Sequence, residues 1–140
     1  MSSKLMRVGT IYLPVTNPKL SAEWFCTHLG AELSYMDEGN NHVILNLAQQ
    51  SFILIQSEKG TLANFNTIND GLMFLFTFEV NGIDALIQLH EDLQDKGVTV
   101  GAIEDRGHTG RNFIITDLDG NKYDVWSELS VDFKEKYNIT

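Results

Sequence analysis

Chemistry needs acids, donors or nucleophiles that a fold can bring together, and in this sequence such residues are few. Asp124 comes first, because it stands between Tyr123 and Val125 in an apolar, strand-forming run. A buried carboxylate without a partner is costly, so Asp124 must reach solvent, meet a cation such as Arg111, or hold a ligand. Trp126, two residues on, and Tyr12 near the N-terminus offer rings on which an organic molecule or cation could stack. Core packing accounts for either ring equally well. The run Glu104-Asp105-Arg106-Gly107-His108-Thr109-Gly110-Arg111 combines three basic side chains with two glycines that allow movement. Arg106, His108 and Arg111 could bind an anionic group or act in acid/base chemistry. For His108 alone, a solvated hairpin is the simpler reading.

Nucleophilic chemistry finds little support. The single cysteine, Cys26, falls in a helical pattern, where packing explains it better than catalysis. No Ser/His/Asp or Cys/His set can be assembled, and there is no glycine-rich phosphate loop. Of the four histidines, His28 and His90 lie in helical patterns, and His42 and His108 in turns or loops.

The elements that would position these groups follow from periodicity and turn chemistry. Val8–Val15 reads as a strand, and Asn17-Pro18 as a helix start with an Asn cap and Pro at the first helical position. Leu20, Trp24, Thr27 and His28, with Phe25 and Leu29 beside them, form a helical stripe that Gly30 stops. Three strands are expected next: Glu32–Asp37, ended by Gly39-Asn40-Asn41, then Val43–Leu47 and Phe52–Gln56 around a polar turn at Gln49-Gln50. Residues 58–71 read as a linker. Leu72–Val80 is a strand, and Ile83, Leu86, Ile87, His90 and Leu93 share one face of a helix that ends at Gly97. Strands at Val98–Val100, Arg111–Thr116 and Lys122–Trp126 follow, the last two flanking the turn 117–121. Val131, Phe133 and Tyr137 are spaced for a short packing helix.

Composition narrows the function classes. The 140 residues are 43% hydrophobic and 21% charged, ordinary for a globular domain that needs no disulfide or metal to fold. A net charge of −9 argues against nucleic acid and permits attraction for cations, although solubility explains it as well. No membrane is expected, because the apolar run Leu72–Phe76 is far too short to span one. The segment Met1–Arg7 has no signal-peptide apolar core after it, and the lone cysteine suits a reducing compartment, so a cytoplasmic location is expected.

The two halves repeat the order strand–helix–three strands. Val15 before Asn17 echoes Val80 before Asn81, Leu29-Gly30 echoes Lys96-Gly97, and Ser57-Glu58 echoes Ser127-Glu128. Half-chain repetition implies that each half needs the other to bury its apolar face. Leu13-Pro14-Val15 with Ser21-Ala22-Glu23-Trp24-Phe25 and Leu29-Gly30, then Phe76–Val80 with Ile83-Asp84, then Phe113–Asn121 with Leu118 where Pro is usual, together resemble the glyoxalase / bleomycin-resistance / extradiol-dioxygenase superfamily over roughly residues 7–128. The fold so implied is α+β: one domain in which two βαβββ modules, about 7–58 and 72–128, pair into a cupped mixed β-sheet, with a tail at 129–140.

The resemblance also implies where a metal would sit in relatives that use one. Carried onto this chain, those positions are Thr10, Leu54, Leu75 and Asp124. Only Asp124 is an ordinary ligand, and a catalytic divalent ion wants about three protein donors, so neither metal nor other cofactor is expected. Strand alternation fixed on Asp124 gives a ligand-binding lining of Thr10, Tyr12, Leu54, Gln56, Leu75, Thr77, Asp124 and Trp126, with Arg111 bordering it. Three functions compete. The leading expectation is a metal-free small-molecule binding protein similar to bleomycin-resistance proteins, homodimeric as those relatives are, with a cationic or aromatic ligand. The second is a glyoxalase-like lyase or isomerase using Asp124 and His108. The third is a degenerate module for protein–protein interaction.

Overall fold

Residues 4–39 and 41–140 are described by a computed structural model. Met1–Ser3 and Asn40, the centre of one expected turn, lie outside them. The chain forms two compact units that divide between Leu62 and Ala63.

The first unit is a βαβββ module: β1 (Thr10–Val15), α1 (Pro18–Leu29), β2 (Glu32–Met36), β3 (His42–Leu47) and β4 (Gln50–Gln56). Asn17 caps α1 by accepting a hydrogen bond from the Leu20 amide at 3.1 Å, and Gly30 ends the helix with φ of 75°. The sheet order is β1-β4-β3-β2, with β1 parallel to β4 and the other pairs antiparallel. One side of the sheet is dry, made by Leu13, Val15, Val43, Leu45, Phe52 and Leu54, and α1 supplies Ala22 and Phe25 to this core. The expected helical stripe is therefore rotated: Ser21, Ala22 and Phe25 face inward, while Leu20 is exposed. The polar turn lies one residue earlier than expected, at Ala48-Gln49, where both φ angles are positive (51° and 62°). A two-residue hairpin with primed-turn geometry demands this of whatever residues occupy it.

The second unit contains β5 (Asn64–Asn66), β6 (Leu72–Phe74), β7 (Thr77–Glu79), α2 (Ile83–Asp95), β8 (Thr99–Val100), β9 (Asn112–Thr116), β10 (Lys122–Trp126) and α3 (Val131–Tyr137). Its main sheet runs β7-β10-β9-β8, again with first and last strands parallel. The expected linker is partly ordered: β5 pairs with β6, and the expected strand Leu72–Val80 breaks at Leu75-Phe76 because its first part serves that hairpin. Phe113, Ile115, Tyr123 and Val125 form the dry side with Leu86 and Leu93 of α2, whereas Ile83 and Ile87 are exposed. The turn 117–121 is fastened by one buried carboxylate. Asp117 accepts from the Asp119 and Asn121 amides, from Asn121 Nδ2 at 3.0 Å and from the Tyr123 hydroxyl at 2.7 Å, and Asn121 Oδ1 accepts from the Ala63 amide. This turn is structural, and it needs no proline at Leu118.

Candidate functional site

The side of the second sheet away from α2 collects the polar residues. The register sets Asp124 beside Thr77 and Ile114, and Trp126 beside Glu79 and Asn112. In a strand these residues alternate with the dry Tyr123 and Val125, so the sequence folds them onto one face by parity alone. Asp124 is only 5% exposed and Asn112 3%.

Two partners answer the question of the buried carboxylate. Asn112 Nδ2 donates to Asp124 Oδ2 at 3.0 Å, and Arg106 Nη1 forms an ion pair with Asp124 Oδ1 at 3.0 Å. The expected partner Arg111 is turned elsewhere: its guanidinium donates to the Gly110 carbonyl and lies 3.7 Å from Asp105. Arg106 also bonds Glu104 Oε2 through Nε and Nη2, each at 2.8 Å. The Asn112 amide oxygen is buried without a hydrogen-bond partner. Burial pushes the Asp124 carboxyl above the usual range, against the pull of Arg106 and Asn112.

The loop that delivers Arg106 is anchored at both ends. Glu104 pairs with Asn112 through reciprocal backbone hydrogen bonds. At the far end Trp126 Nε1 donates to the Thr109 carbonyl at 2.9 Å, and Ser127 Oγ accepts from the Arg111 amide at 2.8 Å. Gly110 is required there, since its φ is 79° and a Cβ would fall 2.6 Å from Ser127 Oγ and 2.8 Å from Trp126 Nε1. His108 packs edge-on to Trp126 with ring centroids 5.9 Å apart, and its Nδ1 lies 2.8 Å from the Thr109 carbonyl oxygen.

Of the expected lining, Thr77, Asp124 and Trp126 share this face. Leu75, in the break before β7, is exposed. Thr10 and Tyr12 lie on the side of the first sheet opposite its dry core, and Tyr12 is 62% exposed. Leu54 and Gln56 require correction. Leu54 pairs with Leu13 and Val43 and is fully buried on the dry side, and Gln56, two residues on, has the same parity. The residues level with Tyr12 and Pro14 are Ile53 and Ile55. The repeat match of Ser57 to Ser127 is off by one, because β4 aligns with β10 through Ile53 and Asp124. Sequence reading missed Asn112, whose partner Asp124 lies across the sheet, and it gave Arg106 no role beside Asp124. Strand pairing was the missing signal.

A metal fits these residues poorly. In the first unit neither Thr10 nor Ile53, the residue that replaces Leu54, is an ordinary ligand, and in the second Leu75 offers no donor while the Asp124 carboxylate already faces a guanidinium. Among the described residues, no group of three His, Cys, Asp or Glu side chains is placed to hold a metal ion.

The fold occurs in solved structures. Fosfomycin resistance protein FosX from Listeria monocytogenes, complexed with Mn(II) and sulfate, superposes with a TM-score of 0.70 at 14% identity, over 95% of this chain and 98% of that one. Lactoylglutathione lyase from Agrobacterium tumefaciens gives 0.69 at 13% identity, over 89% and 96%. A glyoxylase/bleomycin resistance protein/dioxygenase domain from Frankia sp. EAN1pec gives 0.68 at 18% identity, over 90% and 100%. Such identities establish the architecture and leave the chemistry open. No curated protein matches the sequence. The family model for the Glyoxalase/Bleomycin resistance protein/Dioxygenase superfamily matches residues 7–125, and the chain belongs to that superfamily.

Proposed function

We propose that the protein binds a small organic cation with an aromatic or apolar part, without a metal, on the face bearing Thr77, Asn112, Asp124 and Trp126. One observation carries the reading: a carboxylate 5% exposed is matched to a guanidinium and an amide, the partners suited to a cationic ligand rather than to a metal. Trp126 adds a ring two residues along the same strand face, and the charge of −9 favours the approach of cations. A homodimer in the cytoplasm belongs to the same proposal, supported by the lone Cys26 and by the dimeric relatives the resemblance implies.

Calorimetric titration with a panel of aromatic ammonium and guanidinium compounds tests it. Asp124→Asn should weaken binding at least tenfold while the protein remains folded by circular dichroism. Equal affinity in wild type and variant, or no binding by any compound, overturns the reading. A second reading, proton transfer by Asp124, is favoured by its raised proton affinity. Against it, His108 is engaged by Thr109 and Trp126 and Asp124 by Arg106 and Asn112, so neither faces the other as an acid/base pair.

A further inference from the structure

The geometry points to a guanidinium or amidinium as the ligand's cationic group, with Arg106 as a tethered stand-in that the ligand displaces; this rests on the binding role proposed above. Arg106 shows what the site accepts, since its guanidinium is held by Asp124 Oδ1 on one side and Glu104 Oε2 on the other. It also leaves the site incomplete. Asn112 Oδ1 is a buried acceptor with no donor, on a residue 3% exposed whose own amide nitrogen is committed to Asp124. A lone buried acceptor is unfavourable, and any group that supplies its donor gains accordingly.

Arg106 is poorly placed to supply it, because Nε and Nη2 are both turned to Glu104. An untethered guanidinium presents five N–H groups in one plane, with parallel pairs that can meet Asp124 Oδ1 and a neighbouring acceptor together. A primary ammonium offers a point charge without that planar fork. Trp126, beside Asn112 in the register, provides the ring for an attached apolar part.

Displacement of Arg106 is within the loop's means. Its side chain is 29% exposed and its partner Glu104 49%, so the Arg106–Glu104 pair can persist in water after it leaves Asp124. Gly107 has φ of 87° with open space around it, and the Gly107 amide bonds the local Asp105 side chain. Residues 105–107 can therefore swing while Glu104 at one end and Thr109, held by Trp126 Nε1, at the other stay fixed.

Phenylguanidinium is the probe, titrated calorimetrically into wild type, Arg106→Ala, Arg106→Gln and Arg106→Ala/Asp124→Asn, with amide hydrogen exchange on the wild type. Removing the stand-in should tighten phenylguanidinium binding at least tenfold in both single variants, and the added Asp124→Asn should abolish that gain. Saturating the wild type should speed exchange across residues 105–107. Equal affinity in wild type and the Arg106 variants, binding that survives Asp124→Asn, or a loop unchanged on binding overturns the inference. If benzylammonium binds the wild type through Asp124 while Arg106 removal leaves phenylguanidinium unaffected, this inference falls and the binding role stands. If no cation binds any variant, both fall.

Discussion

At the scale of single residues, the site depends on one glycine as much as on its charges. Gly110 lets the loop pass close under Trp126 and Ser127 at a positive φ. Gly110→Ala should destabilise the protein by about 2–4 kcal/mol, combining left-handed strain with steric overlap. Gly107→Ala, at a similar φ but in open space, should cost only about 1 kcal/mol. Denaturant unfolding of the two variants distinguishes overlap from strain. Asp124 was legible in the sequence because a carboxylate in an apolar strand demands a partner. Which partner was not legible, since Arg106 and Arg111 stand in the same loop and only the loop's path turns one inward.

At the scale of elements, local rules located most strands and both long helices, and failed where tertiary pairing overrode them. The segment Leu72–Val80 reads as one strand because β-forming residues run through it, yet its first part is claimed by β5. Leu54 was misassigned because sequence spacing aligned the halves one residue out of step, and one residue reverses the face of every side chain in a strand. The β3–β4 turn carries a local conflict of the opposite kind, with Ala48 and Gln49 both held at positive φ. Gln49→Gly should relieve it and raise stability by about 1 kcal/mol, read as a higher denaturant midpoint with an unchanged slope. The closing turn contains no such conflict. Tyr123→Phe should cost about 1–2 kcal/mol by depriving the buried Asp117 of a donor, measurable by the same titration.

At the scale of the whole molecule, charge governs the response to pH. The net charge is −9, and burial raises the proton affinity of Asp117 and Asp124 above that of free carboxylates. A carboxyl whose folded pKa is raised binds its proton more tightly in the folded state, so its contribution to stability declines as pH climbs past the ordinary carboxylate range. Asp37, lowered by its hydrogen bond to His42, has the opposite sign and yields only at lower pH. Thermal melts should therefore show these two carboxyls costing stability as pH rises through the ordinary carboxylate range and just above it, and Asp124→Asn should shrink that loss. An Asp124→Asn variant whose melting temperature falls as steeply as the wild type's over that interval would contradict this. The family and its repeated module were legible at this scale from three short signatures in order; the ligand was not, because it depends on contacts across a sheet. The parallel pairing of the first and last strand of each four-stranded sheet has a mechanical consequence. The chain enters one strand and leaves by its parallel neighbour, so tension on the two ends drags β1 against β4, or β7 against β10, lengthwise. The hydrogen bonds of that pair then carry the load together instead of opening one at a time like a zip, so an unfolding motor pulling on the two ends of either sheet must shear a seam rather than peel it.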